Sequence, residues 1–135
     1  MKIVLISLAL VAATQSAEAT DYDAVAAAPG NHRVVLENDQ VRVLQVEVAP
    51  GQTEPIHEHR WPSVMHVQSA QPAVDIRYAM RNGQMVEASR RNLPAGQPPA
   101  ALWFPGEGLH AVQNLGTAPY RLLRVELKQP ALNDR

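Results

Sequence analysis

Gly51-Gln52-Thr53-Glu54-Pro55-Ile56-His57-Glu58-His59 is the stretch on which the reading of this chain turns. Its two imidazoles lie two residues apart, and on an extended strand such residues share a face. A second stretch, Pro105-Gly106-Glu107-Gly108-Leu109-His110-Ala111-Val112-Gln113-Asn114, supplies a third imidazole. His110 joins the first pair only where strands far apart in sequence meet across a barrel or sandwich. Imidazole is the commonest side-chain metal ligand, and its neutral ring offers either nitrogen to Zn, Fe, Mn, Ni or Cu. The plain alternative is a pair of surface histidines.

Strand-like patterning surrounds both stretches. Half-buried strands are predicted at Arg33–Glu37 and Val41–Ala49, with Asn38-Asp39 turning between them and Pro50-Gly51 ending the second. Val64–Gln68 and Val74–Met80 continue the series. Asn82-Gly83 is a hairpin signal, because both central positions of a type I′ turn require positive φ, and Gln84–Ala88 is the return strand. Three prolines between Asn92 and Pro99 predict a loop. Ala101–Phe104, His110–Leu115 and Tyr120–Lys128 supply the last strands, with Gly116-Thr117-Ala118-Pro119 as a turn. Roughly seven to nine short strands without an amphipathic helix imply one all-β barrel or sandwich domain.

Composition removes several classes of function. The 135-residue chain has no cysteine, so disulfides and thiolate metal sites are excluded. A formal net charge of −1 with scattered Lys and Arg gives no field for nucleic acid. At the N-terminus, Lys2 precedes an apolar run from Ile3 to Ala13, and Ala17-Glu18-Ala19 has the form of a cleavage site. Residues 1–19 read as a secretory signal peptide, with export to the periplasm or beyond. Gln15, Ser16 and Glu18 stop the run well short of the ~20 residues a membrane span needs. Residues 20–32 read as a linker or short helix before the barrel, with His32 at the surface, and residues 33–135 as the barrel domain.

The two histidine stretches resemble the paired motifs of the cupin superfamily, G-x5-H-x-H-x3,4-E-x6-G and G-x5-P-x-G-x2-H-x3-N. Gly51, His57 and His59 fit the first, and Pro105, His110 and Asn114 fit the second. The first motif's glutamate falls on Ser63 or Val64, its closing glycine near Ala70 or Gln71, and the second motif's glycine is replaced by Glu107. The resemblance implies a small single-barrel cupin, a double-stranded β-helix of jelly-roll type, in which His57, His59 and His110 converge on a divalent transition metal. A set lacking the glutamate is similar to three-histidine cupins, among them thiol and diketone-cleaving dioxygenases, or belongs to a cupin that lost a ligand and binds metal weakly or not at all.

Further residues carry open readings. Ser63 either caps a turn or holds a metal-bound water, and Met65, of the same strand parity, faces the cavity or is ordinary core. His66 has the opposite parity and is expected on the outer face. Glu107 orients a ligand histidine, acts as a catalytic proton acceptor near the barrel mouth, or is an exposed loop carboxylate. Trp61 and Trp103 form pocket walls or pack in the core. Arg42, Arg77 and Arg124 lie in strands, where an inward guanidinium holds an anionic substrate; outward surface pairing is the default. Asn114 is given a structural task at the Leu115-Gly116 turn. Three functions stand open: a dioxygenase-like or Lewis-acid metal enzyme acting on a small organic molecule, a small-ligand binder, and a scaffold. A homodimer is expected, with edges such as Val34–Leu36 inviting pairing.

Overall fold

The computed structural model describes residues 19–128, so the signal-peptide reading lies, Ala19 apart, outside the described residues. Among the described residues, one short helix and nine strands follow in order: α1 (Ala24–Ala27), β1 (His32–Glu37), β2 (Val41–Val48), β3 (His57–His59), β4 (Ser63–Ser69), β5 (Ala73–Arg81), β6 (Gln84–Leu93), β7 (Leu102–Phe104), β8 (Glu107–Asn114) and β9 (Tyr120–Leu127). They form two antiparallel sheets, ordered β1-β2-β9-β4-β7 and β3-β8-β5-β6. No helix among the described residues is long and apolar enough to cross a membrane.

The period-two pattern sets which residues face between the sheets. In β2, Arg42, Leu44, Val46 and Val48 are buried, and in β4 Ser63, Met65 and Val67 are. Cross-strand partners share a face, so the inner surface is built in rows. Arg42, Glu126, Ser63 and Phe104 form one row, and Leu44, Arg124, Met65 and Leu102 the next. Without disulfides, the apolar members carry stability, each buried Val, Leu or Met contributing about 1.5–3 kcal/mol.

Turn chemistry holds as read. Asn82 and Gly83 have φ of 51° and 76° and join β5 to β6, while Gly51 takes φ of 74° after β2. The loop expected from Asn92 begins later. Asn92 and Leu93 still pair with Val74 and Ala73, because the first proline, Pro94, comes only after them.

The segment before β1 is more than a linker. Asp23 caps α1, its Oδ1 accepting the Val25 N–H at 3.1 Å. Ala24 and Ala28 are fully buried, and the Tyr22 carbonyl accepts the Glu58 N–H at 2.7 Å. The chain thus runs across β3 and delivers His32 to the barrel interior.

Candidate metal centre

Strand β3 presents both of its histidines inward, as their spacing requires, with His57 and His59 1% and 2% exposed. His110 on β8 stands directly opposite His57 in the β3–β8 pairing. The ring centroids of His57 and His110 are 4.5 Å apart, and those of His59 and His110 5.6 Å. The three rings of the two stretches therefore meet in the barrel interior.

A fourth imidazole is present that the sequence reading put at the surface. His32 is 2% exposed, and its ring centroid lies 4.4 Å from that of His57 and 5.3 Å from that of His59. The cause is register: His32 pairs with Val46, which faces inward, so His32 faces inward too. Ring nitrogens of His32, His57 and His59 lie within 4.8 Å of one another, close enough to hold a metal ion.

The hydrogen bonds fix which nitrogen of each ring is free. Nδ1 of His32 meets the Ala28 carbonyl at 3.2 Å, and Nδ1 of His57 the Pro55 carbonyl at 2.9 Å. Nδ1 of His59 meets Glu126 Oε1 at 2.7 Å, and Nδ1 of His110 the Gly108 carbonyl at 2.8 Å. All four partners are acceptors, so each Nδ1 carries the proton and each neutral ring keeps its Nε2 lone pair. Burial holds the rings neutral. It pushes His57 down to about 2, helped by His110 and His32, and His32 to about 4 against the opposing Ala28 hydrogen bond. His59 falls well below its ordinary value through burial and then the charge of Arg124. His110 is lowered by burial, with Glu107 opposing.

Behind the rings lies a buried ionic relay. Glu126, fully buried, accepts from His59 and from Arg42 Nε at 2.5 Å. The other end of Arg42 donates to both oxygens of Asp23, at 2.9 and 2.8 Å. A carboxylate on the far nitrogen of a histidine fixes its tautomer and orientation, as metal centres use it. Glu54 adds a second acidic group. Its Oε2 accepts the Val112 N–H at 3.0 Å, while its Oε1, without a partner, stands 3.8 Å from His32 Nε2. Burial pushes this carboxyl up to about 8, against the Val112 hydrogen bond and the charge of Arg124.

A solved structure with this architecture decides the fold. A cupin domain from Bordetella pertussis Tohama I aligns with a TM-score of 0.53 at 19% identity, over 73% of this chain and 92% of that one. The fold is that of a cupin. An RmlC-like cupin with a double-stranded β-helix fold from Methanocaldococcus jannaschii follows at 9% identity and TM-score 0.49, over 71% and 77% of the two chains. A cupin superfamily protein from Desulfitobacterium hafniense DCB-2 aligns at 16% identity and TM-score 0.46, over 73% and 76%. No protein-family model matches the chain, and no curated protein matches it in sequence.

Within this cupin barrel a cavity of about 500 Å³ opens beside the imidazoles, lined by His32, His59 and His110. Several sequence expectations change here. Glu107 is not an exposed loop carboxylate: it begins β8, lines the cavity and is gripped by Arg77 at 2.8 Å and Arg124 at 2.6 Å. Burial raises its carboxyl, but Arg124, His110 and these hydrogen bonds more than offset that, leaving it below the ordinary value. A carboxylate so held is a poor proton acceptor. Trp103 is 61% exposed because it has the opposite parity to the lining residues Leu102 and Phe104. Trp61 lies outside the cavity, its ring under the guanidinium of Arg42 at 4.9 Å. Ser63, fully buried, does not line the cavity, and its Oγ has no partner.

Other placements follow parity. Met65 faces the cavity, with its sulfur 3.5 Å from Arg124 Nη1. His66 is on the outer face, bonded to the Ala100 carbonyl at 2.7 Å. Arg42 and Arg124 are inward and buried, at 7% and 3% exposed, against the outward default, because their partners across the sheet are Glu126 and Met65. Asn114 accepts the Gly116 N–H at 2.8 Å and donates to the Val48 and Ala118 carbonyls, a structural task.

Proposed function

We propose that this chain is an exported metal-binding cupin, a mononuclear transition-metal enzyme acting on a small organic molecule. The observation that carries the reading is the set of four buried imidazoles, each with Nδ1 occupied by an acceptor and its Nε2 lone pair free. Such a donor set fits a borderline first-row dication such as Fe, Mn, Ni, Zn or Cu. His32, His57 and His59 form the tightest group, and His110 completes it from the opposite strand. A bound dication with open positions supplies Lewis acidity, or oxygen chemistry where the metal is redox-active. The chain's own part is to hold neutral rings in one tautomer, to fix His59 through Glu126, and to surround the substrate with apolar walls.

Export is supported by the pattern of residues 1–19. A homodimer through β1 is supported by its edge position and by Val34, Val35 and Leu36, 36%, 44% and 51% exposed; a monomer in sedimentation equilibrium would overturn that part alone. The metal assignment is tested by elemental mass spectrometry on untagged protein. About one equivalent of a transition metal is expected, lost in His57→Ala and in His110→Ala. Full occupancy retained in either variant overturns it.

A further inference from the structure

Arg124 is buried on the cavity wall, and its hydrogen bonds are incomplete. Nη1 donates to Glu107 Oε2 at 2.6 Å and approaches the Met65 sulfur at 3.5 Å. Nε and Nη2 are shut from solvent and have no acceptor. A buried guanidinium with unpaired N–H groups is costly, and neither of its neighbours on β9, Leu123 and Val125, has a polar side chain to relieve it. Nε and one Nη of a guanidinium form the fork that fits a carboxylate through two parallel hydrogen bonds. The rest of the cavity is different in kind. Leu93, Leu102, Phe104, Val112 and Leu122 give it apolar walls, and Pro94, Pro98 and Pro99 line it from the loop after β6. A cavity of about 500 Å³ with a few polar groups at one end is the form of a small-molecule site.

The charges already present leave this fork available. Glu107 is shared between Arg77 and Arg124, and Asp75 is held by Arg77 at 2.8 Å and Arg91 at 3.3 Å. Glu107 therefore uses one edge of Arg124 while the Nε edge has nothing. We infer that the cavity receives small carboxylates with an apolar body, the Arg124 side chain turning its unpaired Nε and Nη2 edge from the wall onto the carboxylate and the body lying against the leucine, phenylalanine and proline walls. This deepens the metal-centre reading by naming the substrate class of the same site, but the Arg124 contact itself needs no metal.

The test compares benzoate and hexanoate with their neutral isosteres benzamide and hexanamide, by calorimetric titration of the purified protein in metal-loaded and chelator-treated forms. The carboxylates are expected to bind saturably in both forms, with the amides roughly ten- to a hundredfold weaker, the ratio that a charge-assisted hydrogen bond gives. Arg124→Gln is expected to remove that preference without changing metal stoichiometry, and Arg124→Lys, which keeps the charge but not the fork, to retain part of it. Equal binding of acids and amides overturns the inference, as does absence of binding by both acids. A preference seen only in the metal-loaded form and surviving Arg124→Gln also overturns it, while supporting the metal centre. Conversely, a carboxylate preference in protein that takes up no metal upholds Arg124 and sinks the metal reading. If Arg124→Gln fails to fold, the wild-type comparison and Arg124→Lys still decide.

Discussion

Glu126→Gln changes one buried atom and is expected to loosen the metal centre from behind. The wild-type carboxylate faces two donors, His59 Nδ1–H at 2.7 Å and Arg42 Nε–H at 2.5 Å, and accepts from both. A glutamine amide has one oxygen and one NH₂, so it accepts from one and presents N–H to the other. Arg42 cannot give up its proton, whereas a neutral imidazole can move its own to the other nitrogen. The amide oxygen therefore stays with Arg42, and His59 turns to the tautomer whose Nδ1 accepts and whose Nε2 is protonated. That removes the lone pair a metal needs. Loss of an outer partner of this kind lowers metal affinity about 10–100-fold, or roughly 1.4–2.7 kcal/mol. Fold stability falls less than the 3–5 kcal/mol of a stranded buried charge, since Asp23 still holds Arg42 at 2.8 and 2.9 Å. A loss of about 1–3 kcal/mol is expected, which at roughly 4 °C per kcal/mol for a domain of this size is a Tm drop of about 4–12 °C. Competition of Zn²⁺ between the protein and a chromogenic chelator at neutral pH measures the affinity. Ser63→Ala is the control, since Ser63 occupies the motif glutamate's place but lies outside the cavity, and it should leave affinity unchanged. Wild-type affinity in a folded Glu126→Gln variant would refute the tautomer argument.

Two other changes test neighbouring parts of the structure. His32→Ala is expected to weaken Zn²⁺ binding in the same competition by at least the outer-partner factor of about tenfold, because His32 belongs to the tightest nitrogen group; a surface residue would give no change. Asp23→Asn tests the relay through pH. Burial raises the Asp23 carboxyl, but the Arg42 hydrogen bonds and charge more than offset this and leave it below 3.8. A group whose folded value is depressed contributes stability above its unfolded value, and loses it as pH falls through the folded value. Denaturant midpoints of wild type and Asp23→Asn should therefore differ at pH 6 and converge as the pH falls below 3.8 and through the depressed folded value of Asp23, and a constant gap across that range would contradict the ion pair.

How much of this was legible follows from the range of each interaction. The shared face of His57 and His59 is a period-two property of three consecutive residues, and the Asn82-Gly83 hairpin a property of two φ angles. Both are local, and both are in the sequence. Convergence of His110 needed a motif resemblance, because it depends on a pairing across more than fifty residues. His32 and Glu126 had no such motif. Each faces inward because of its cross-strand partner, Val46 for His32, and Arg42 and Ser63 for Glu126. Register between distant strands is fixed by the whole barrel rather than by neighbours in the chain. One usable signal was present for the last strand. Leu122, Arg124 and Glu126 share a parity, and two charged residues on the face of an apolar alternation point to buried ionic chemistry rather than to surface. The tryptophans were misplaced for the converse reason: nearness to the motifs in sequence says nothing of parity, and Trp103 alternates outward from Leu102 and Phe104.

The missing motif glutamate has a consequence for what enters the cavity. Neutral imidazoles bring no charge to a dication, and the carboxylates nearby are already matched by guanidiniums. Glu126 and Asp23 share Arg42, Glu107 lies between Arg124 and Arg77, and Asp75 between Arg77 and Arg91. Glu126, directly across from Ser63, stands closest in the sheet to the lost glutamate's place, but it is turned to the far nitrogen of His59 and acts from outside the ligand set. Glu54 and Asp75 each keep one buried oxygen without a partner, and burial raises the Glu54 carboxyl to about 8, so its charge is costly there. A metal in this setting leaves positive charge in a medium of low dielectric, where an anion is favoured far more than in water. The unpaired edge of Arg124 favours the same sign on the same wall. Loss of one protein carboxylate and retention of one unsatisfied guanidinium thus make a single demand, a carboxylate that arrives with the substrate.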